Sequence, residues 1–169
     1  MRGIIGGVSV IAGIALVILA TASLADEKAE KIAPDKLPQK IKDSIKERFP
    51  GAEVTGAEKE NENGQIMYDI ELKHKGRKYE MDIKEDGTIV EIEKEIASKD
   101  VPEAITKAVK KKYPTATIKE VMEVNKVTGK EEKPLHYEVT IETGGKTKEV
   151  IVSLDGKTVK AEGEEKKEK

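Results

Sequence analysis

Residues 37–50 read LPQKIKDSIKERFP, and residues 101–114 write the same pattern again as VPEAITKAVKKKYP. In register, Leu37 meets Val101, Pro38 meets Pro102 and Ile41 meets Ile105; Ile45 meets Val109, Phe49 meets Tyr113 and Pro50 meets Pro114. Both copies place apolar residues at i, i+4, i+8 and i+12, which lines one side of a helix. Pro38 and Pro102 suit a first turn, where the missing N–H has no intrahelical partner, and Pro50 and Pro114 stop the helix. The spacing predicts helices over 35–48 and 102–112, and with them a duplicated unit.

Strand signals follow each helix in the same order. A strand is expected over 54–60, then a turn at Asn61-Glu62-Asn63-Gly64. Next, Ile66, Tyr68, Ile70 and Leu72 alternate with Met67, Asp69, Glu71 and Lys73. Tyr79, Met81 and Ile83 alternate with Lys78, Glu80, Asp82 and Lys84, and Asp86-Gly87 turns the chain into a strand over 89–96. The second copy offers a strand over 118–127 and a longer polar loop, TGKEEKP, at 128–134. Beyond it Tyr137, Val139 and Ile141 match Tyr68, Ile70 and Leu72, Val150 and Val152 match Met81 and Ile83, and Asp155-Gly156 matches Asp86-Gly87. The expected fold is α+β: two tandem repeats of one helix plus four antiparallel strands, 35–97 and 98–161. Both helices would cover one face of a curved sheet and leave an ionic face to water.

The ends read differently. Met1-Arg2 and the uncharged run 3–25, closing on Ser23-Leu24-Ala25, have the layout of a secretory signal peptide. The other reading is a retained anchor, since 4–24 is about long enough to cross a bilayer, which takes about 20 residues. The small residues at its end favour cleavage, and either way the rest of the chain lies outside the cytoplasmic membrane, periplasmic or secreted. Residues 26–34 form a charged leader with weak helical tendency, and 162–169, EGEEKKEK, a low-complexity tail expected to be disordered.

Charged residues make up 38% of the chain and aromatics 3%, so the core must be aliphatic and thin. The 31 basic and 33 acidic residues are interspersed, without the basic stripe or aromatic platform that nucleic acid requires. Zero cysteines exclude disulfides, thiolate metal sites and a cysteine nucleophile.

Phe49-Pro50-Gly51-Ala52, the strands opening at Tyr68 and Tyr137, and the two Asp-Gly hairpins resemble PepSY-like domains. They are more closely similar to the tandem group described as putative beta-lactamase-inhibitor-like, PepSY-like. The resemblance runs over 34–161 and departs in the second copy, where Thr115 replaces the glycine. It implies exported, non-enzymatic proteins of two helix-plus-four-strand repeats. It also implies that some relatives restrain peptidases, and that a structurally similar inhibitor grips beta-lactamase with a concave sheet. It assigns no inhibitory residue to a position here.

The residues themselves give little chemistry. His74 and His136, the two histidines, stand in no spacing with a second metal ligand. His74 reads as a solvated residue beside a turn, and His136 points away from the face that Tyr137 joins. Ser44, Ser98 and Ser153 lack a nucleophile's context, and Gly144-Gly145-Lys146-Thr147 lacks the spacing of a phosphate loop. Glu71, Glu80, Asp82, Glu91 and Glu93 are expected to share the open face with Lys73, Lys78 and Lys84, forming cross-strand ion pairs on a wet surface. Asp86-Gly87 and Asp155-Gly156 lack the multi-oxygen spacing of a calcium loop. The expectation is no enzyme, no cofactor and no metal. A protein partner, an extracytoplasmic peptidase or other enzyme, would be held on the face of Met67, Asp69, Glu71, Glu80, Asp82 and Ile151, or at the 128–134 loop. The alternative is a structural or cation-buffering envelope protein. An exposed edge strand would allow a monomer or a weak dimer, and membrane contact requires an uncleaved N-terminal segment.

Overall fold

The apolar stripe of the first copy becomes α1 (Gln39–Arg48), entered through a 3-10 turn at Pro34–Lys36, and that of the second becomes α2 (Glu103–Lys112). The protein is described by a computed structural model, which covers residues 29–62 and 64–161. The expected signal segment 1–25 and tail 162–169 lie outside these residues, as do 26–28 of the leader. Pro38 and Pro102 occupy the N-cap positions. Each helix closes on its aromatic residue: Phe49 N donates to Ile45 O at 2.8 Å, and Tyr113 N to Val109 O at 2.7 Å. The following Ala52 N and Ala116 N donate to the Phe49 and Tyr113 carbonyls. Gly51 makes its turn with φ +78°, whereas Thr115 makes the equivalent one without entering the left-handed region. The substitution that breaks the sequence match therefore needs no strained backbone.

Nine strands follow one another in a single antiparallel sheet, in the order of the chain. They are β1 (Glu30–Lys31), β2 (Glu53–Glu62), β3 (Gln65–His74), β4 (Arg77–Lys84) and β5 (Ile89–Glu95), then β6 (Thr117–Thr128), β7 (Glu131–Thr143), β8 (Lys146–Ser153) and β9 (Val159–Ala161). Two expectations change. The leader, expected to have a weak helical tendency, is instead extended at Glu30 and Lys31, which pair with Lys59 and Glu58 at the sheet edge. The stretch 128–134 is not a loop: β6 and β7 run on to a tight turn, with Thr128 opposite Glu131. Pro134 is accommodated beside a register shift between Val124 and Asn125, the irregular position a strand proline needs.

Register places both helices on one sheet face. Ile41 and Ile45 pack with Tyr68, Ile70, Leu72, Met81, Ile83 and Ile92. Ile105 and Val109 pack with Val121, Val139, Ile141, Val150 and Val152. Ile92 stands opposite Asn125, which shares its side of β6 with Val121 and Val127, so the two cores line the same side. Val127 belongs to the α1 core although it lies on β6. Arg48 of α1 also pairs with Glu132 at the tip of the β6–β7 hairpin, so the extended arm reaches back over the first core.

The Asp-Gly turns clamp the helices from below. Ser44 Oγ donates to Gly87 O at 2.6 Å, and a Cβ on Gly156 would lie 2.8 Å from Ala104 O. Asp155 Oδ1 accepts from Lys157 N and from Ser153 Oγ, which holds its carboxyl down to about 2. Ser44 and Ser153 thus serve turns.

Gly156→Ala is expected to cost about 2–3 kcal/mol, because left-handed strain adds to a clash with α2 backbone. Gly145→Ala, at φ +73° but with open space around it, should cost about 1 kcal/mol. Urea unfolding of both variants checks this; equal losses would remove the clash from the account.

Candidate functional site

Both helices occupy one face, so the other is the sheet's own. Row by row, the register assembles it. Glu58, Asp69, Asp82 and Glu91 stand directly opposite one another on β2, β3, β4 and β5, with Lys31 beyond Glu58 and Lys126 beyond Glu91. The next row runs Gly56, Glu71, Glu80, Glu93, Val124, His136 and Ser153. A third places Glu95, Met122, Glu138, Ile151 and Lys160 in line. Side chains directly opposite on one face have Cβ atoms about 4.5–5.5 Å apart, so Asp69, Asp82, Glu91, Glu71, Glu80 and Glu93 form a block of six adjoining carboxyls.

The expected wet surface is in part buried, and of the expected ion pairs Lys78 makes those to Glu80 and, across strands, to Glu120. On β4 Lys78 and Lys84 flank Glu80 and Asp82, on β3 Lys73 follows Glu71, and across the strands carboxylate faces carboxylate. Glu91 is 2% exposed, Asp69 and Glu93 are each 7% exposed, and Asp69 Oδ2 and Glu91 Oε2 are shut off from solvent. Met67, expected to be an outward apolar contact, is buried between Glu60 and Lys84. The side chains of this face are thus closely packed. Gly56 permits part of this, since a Cβ there would meet Glu71 Oε2 at 3.0 Å.

The electrostatics follow from burial. Desolvation, reinforced by Glu138, Glu80, Glu91 and Asp82, pushes the Glu93 carboxyl up to about 10. Burial also raises Glu80, against the pull of Lys78. Lys78 Nζ sits 2.7 Å from Glu80 Oε1 and 3.3 Å from Glu120 Oε1. Burial alone would lower its pKa, yet these two carboxylates together raise it.

Of the face expected from sequence, the structure brings Met67, Asp69, Glu71, Glu80 and Asp82 together, and sets Ile151 three strands away from the block, half-buried beside Glu138 and Lys160. Sequence reasoning missed Met122, Val124 and Glu138, all buried on this face. A signal existed: Val121 and Met122 are adjacent apolar residues, which a strand wet on one side does not need. His136 lies on this face as expected, with Nε2 3.1 Å from Glu138 Oε1. His74 departs from expectation, for it stands edge-on to Phe49 at 5.6 Å, half-buried rather than solvated.

A sequential antiparallel sheet carrying two helices on one face and an acid-rich array on the other defines an α+β protein. The chain belongs to the putative beta-lactamase-inhibitor-like, PepSY-like family, whose model matches residues 23–91 and 67–160. Among solved structures it is similar to a BLIP-like protein from Bacteroides fragilis, with 21% identity over 79% of this chain and 93% of that one, at a TM-score of 0.52. It is also similar to a putative periplasmic protein from Bacteroides eggerthii, with 14% identity over 73% and 88%, at a TM-score of 0.56. These likenesses concern the fold. No curated protein matches the chain in sequence. Among the described residues no helix is long and apolar enough to cross a membrane.

Lys78→Met removes the cation between Glu80 and Glu120 and should destabilise the fold by about 1–3 kcal/mol at neutral pH, the partial exposure of the pair discounting its value. The loss should shrink in mild acid, where Glu80, raised by burial, protonates. Urea unfolding at both pH values measures it; a loss independent of pH would mean that the stem's packing, not its charge, matters.

Proposed function

We propose that the protein is an exported, non-catalytic binding module of two tandem repeats, 35–97 and 98–161, which holds an extracytoplasmic peptidase or other enzyme against its open sheet face. One observation carries this reading: both helices lie on the same side of the sheet, and among the described residues no second layer of helix or strand is packed over the opposite face. Among the described residues the polar groups that could do chemistry are engaged structurally. Ser44 and Ser153 serve turns, and His136 meets Glu138. The family's beta-lactamase-inhibitor-like description supports a role in restraining an enzyme, and the periplasmic label of the Bacteroides eggerthii protein supports export. Glu71 and Asp82, partly exposed in the middle of the face, and Ile151, at its β8 side, are the side chains a partner would meet.

The alternative, a structural or cation-buffering envelope protein, draws on the same carboxylates. Among the described residues, however, no group of three His, Asp or Glu is arranged to hold a metal ion, so that reading rests on diffuse screening alone.

Capture from envelope extract with the 26–169 chain tests the proposal. Glu71→Lys with Asp82→Lys should weaken retention of a saturable partner roughly tenfold or more, as for residues central to an interface. Glu47→Lys, on the exposed side of α1, should leave retention unchanged. A partner held equally by all three proteins binds elsewhere, and the open face would lose its assignment.

A further inference from the structure

The geometry points to a small cavity beside α1 as a binding site for an amphipathic carboxylate, an aliphatic chain of about eight carbons ending in one carboxyl group. The cavity lies on the helix side of the sheet, so the assignment does not depend on what the open face holds.

The cavity forms where the 3-10 turn, α1 and the start of β2 meet, and its volume is about 200 Å³. Leu37 and Ile45, which line it, belong to the buried core, whereas Phe49, Ala52 and Val54 pack against that core only in part. The apolar surface these three leave uncovered walls the cavity. Pockets for drug-sized molecules run to about 300–1,000 Å³, so this one suits a smaller body such as a short acyl chain.

Charge selects the class of occupant. Among the described residues, Lys42 and Lys46 are the charged side chains that line the cavity, and no carboxylate does. They stand one helical turn apart and so share a side of α1. Lys42 Nζ donates to Asp35 O at 2.7 Å, which ties α1 to the 3-10 turn and holds that ammonium beside the cavity with donors to spare. A carboxylate head on an aliphatic tail meets both demands, since the head takes charge-assisted hydrogen bonds and the tail leaves water. A neutral chain meets only the second, and a bare anion only the first.

The second repeat shows the same place spanned by the protein itself. Lys110 and Ala116 stand where Lys46 and Ala52 stand in the first, and Lys110 Nζ donates to Ala116 O. Thr106 takes the place of Lys42 and turns its hydroxyl back to Glu103 O at 2.9 Å. Thr115 takes the place of Gly51, which lines the cavity of the first repeat with nothing within 4 Å of where its Cβ would be. The two repeats therefore share a helix and its groove, and differ at the side chains that leave the groove open or bridge it.

Titration of the protein with octanoate, followed through its backbone amide shifts by NMR, tests this. Saturable shifts are expected at Ile45, Phe49 and Val54, with a Kd on the order of 0.1–1 mM for a ligand this small. Octanol, with the same tail and no charge, should bind about tenfold more weakly. Lys46→Gln, at an exposed side chain, should weaken octanoate roughly threefold, as for an exposed ion pair, while Lys110→Gln should leave its affinity unchanged. Shifts that saturate elsewhere, or octanol held as tightly as octanoate, overturn the assignment. So does octanoate that leaves these amides unmoved, which would give the cavity to another segment of the chain or to a protein partner's side chain.

Discussion

The pairing of β5 with β6, Glu91 to Glu95 against Lys126 to Met122, is the constraint on which the rest of the structure depends. Without it there are two small sheets, each under one helix, and neither core is large enough to stand comfortably alone. With it the sheet is continuous, Val127 enters the core of α1, and the β6–β7 arm reaches Arg48. The sequence separation of those contacts also matters. Contacts from residue 48 to 132 reward loop closure late, so the two units are expected to form locally before they lock together.

That same junction brings carboxyls directly opposite one another. Carboxyls are stacked against carboxyls on β3, β4 and β5 where aliphatic residues would pack at lower cost. On the helix face of these strands there is no such conflict: Ile70, Met81 and Ile92 stand in line, fully packed. One face of the sheet therefore supplies the stability and the other draws on it.

The turns show how little of the fold was left to chance locally. The hydroxyls of Ser44 and Ser153, the carboxyls of Asp86 and Asp155 and the left-handed Gly87 and Gly156 together seat each Asp-Gly turn. Gly87 lies against α1 and Gly156 against α2. The hydrogen bonds to Thr88 N likewise hold the Asp86 carboxyl below the ordinary range. Side-chain contacts this local are cheap in entropy, since they order residues that the hairpin has already fixed.

The sequence by itself determined the elements. Period-four apolar spacing at Ile41, Ile45, Ile105 and Val109 specified two helices. Strict alternation at Ile66 to Leu72 and Tyr79 to Ile83 specified half-apolar strands and the side that meets the helices. These signals are local, because helical and extended backbones repeat over only a few residues. What only the tertiary structure decided was register and curvature. The run TGKEEKP became an extended hairpin because β6 and β7 found each other, and no composition announces that. The acid-rich face became a buried carboxyl block because strand neighbours are chosen across the sheet, where Glu80 meets Glu93 rather than Lys94. The order of charges along a strand says nothing of what stands opposite, because register is set between strands.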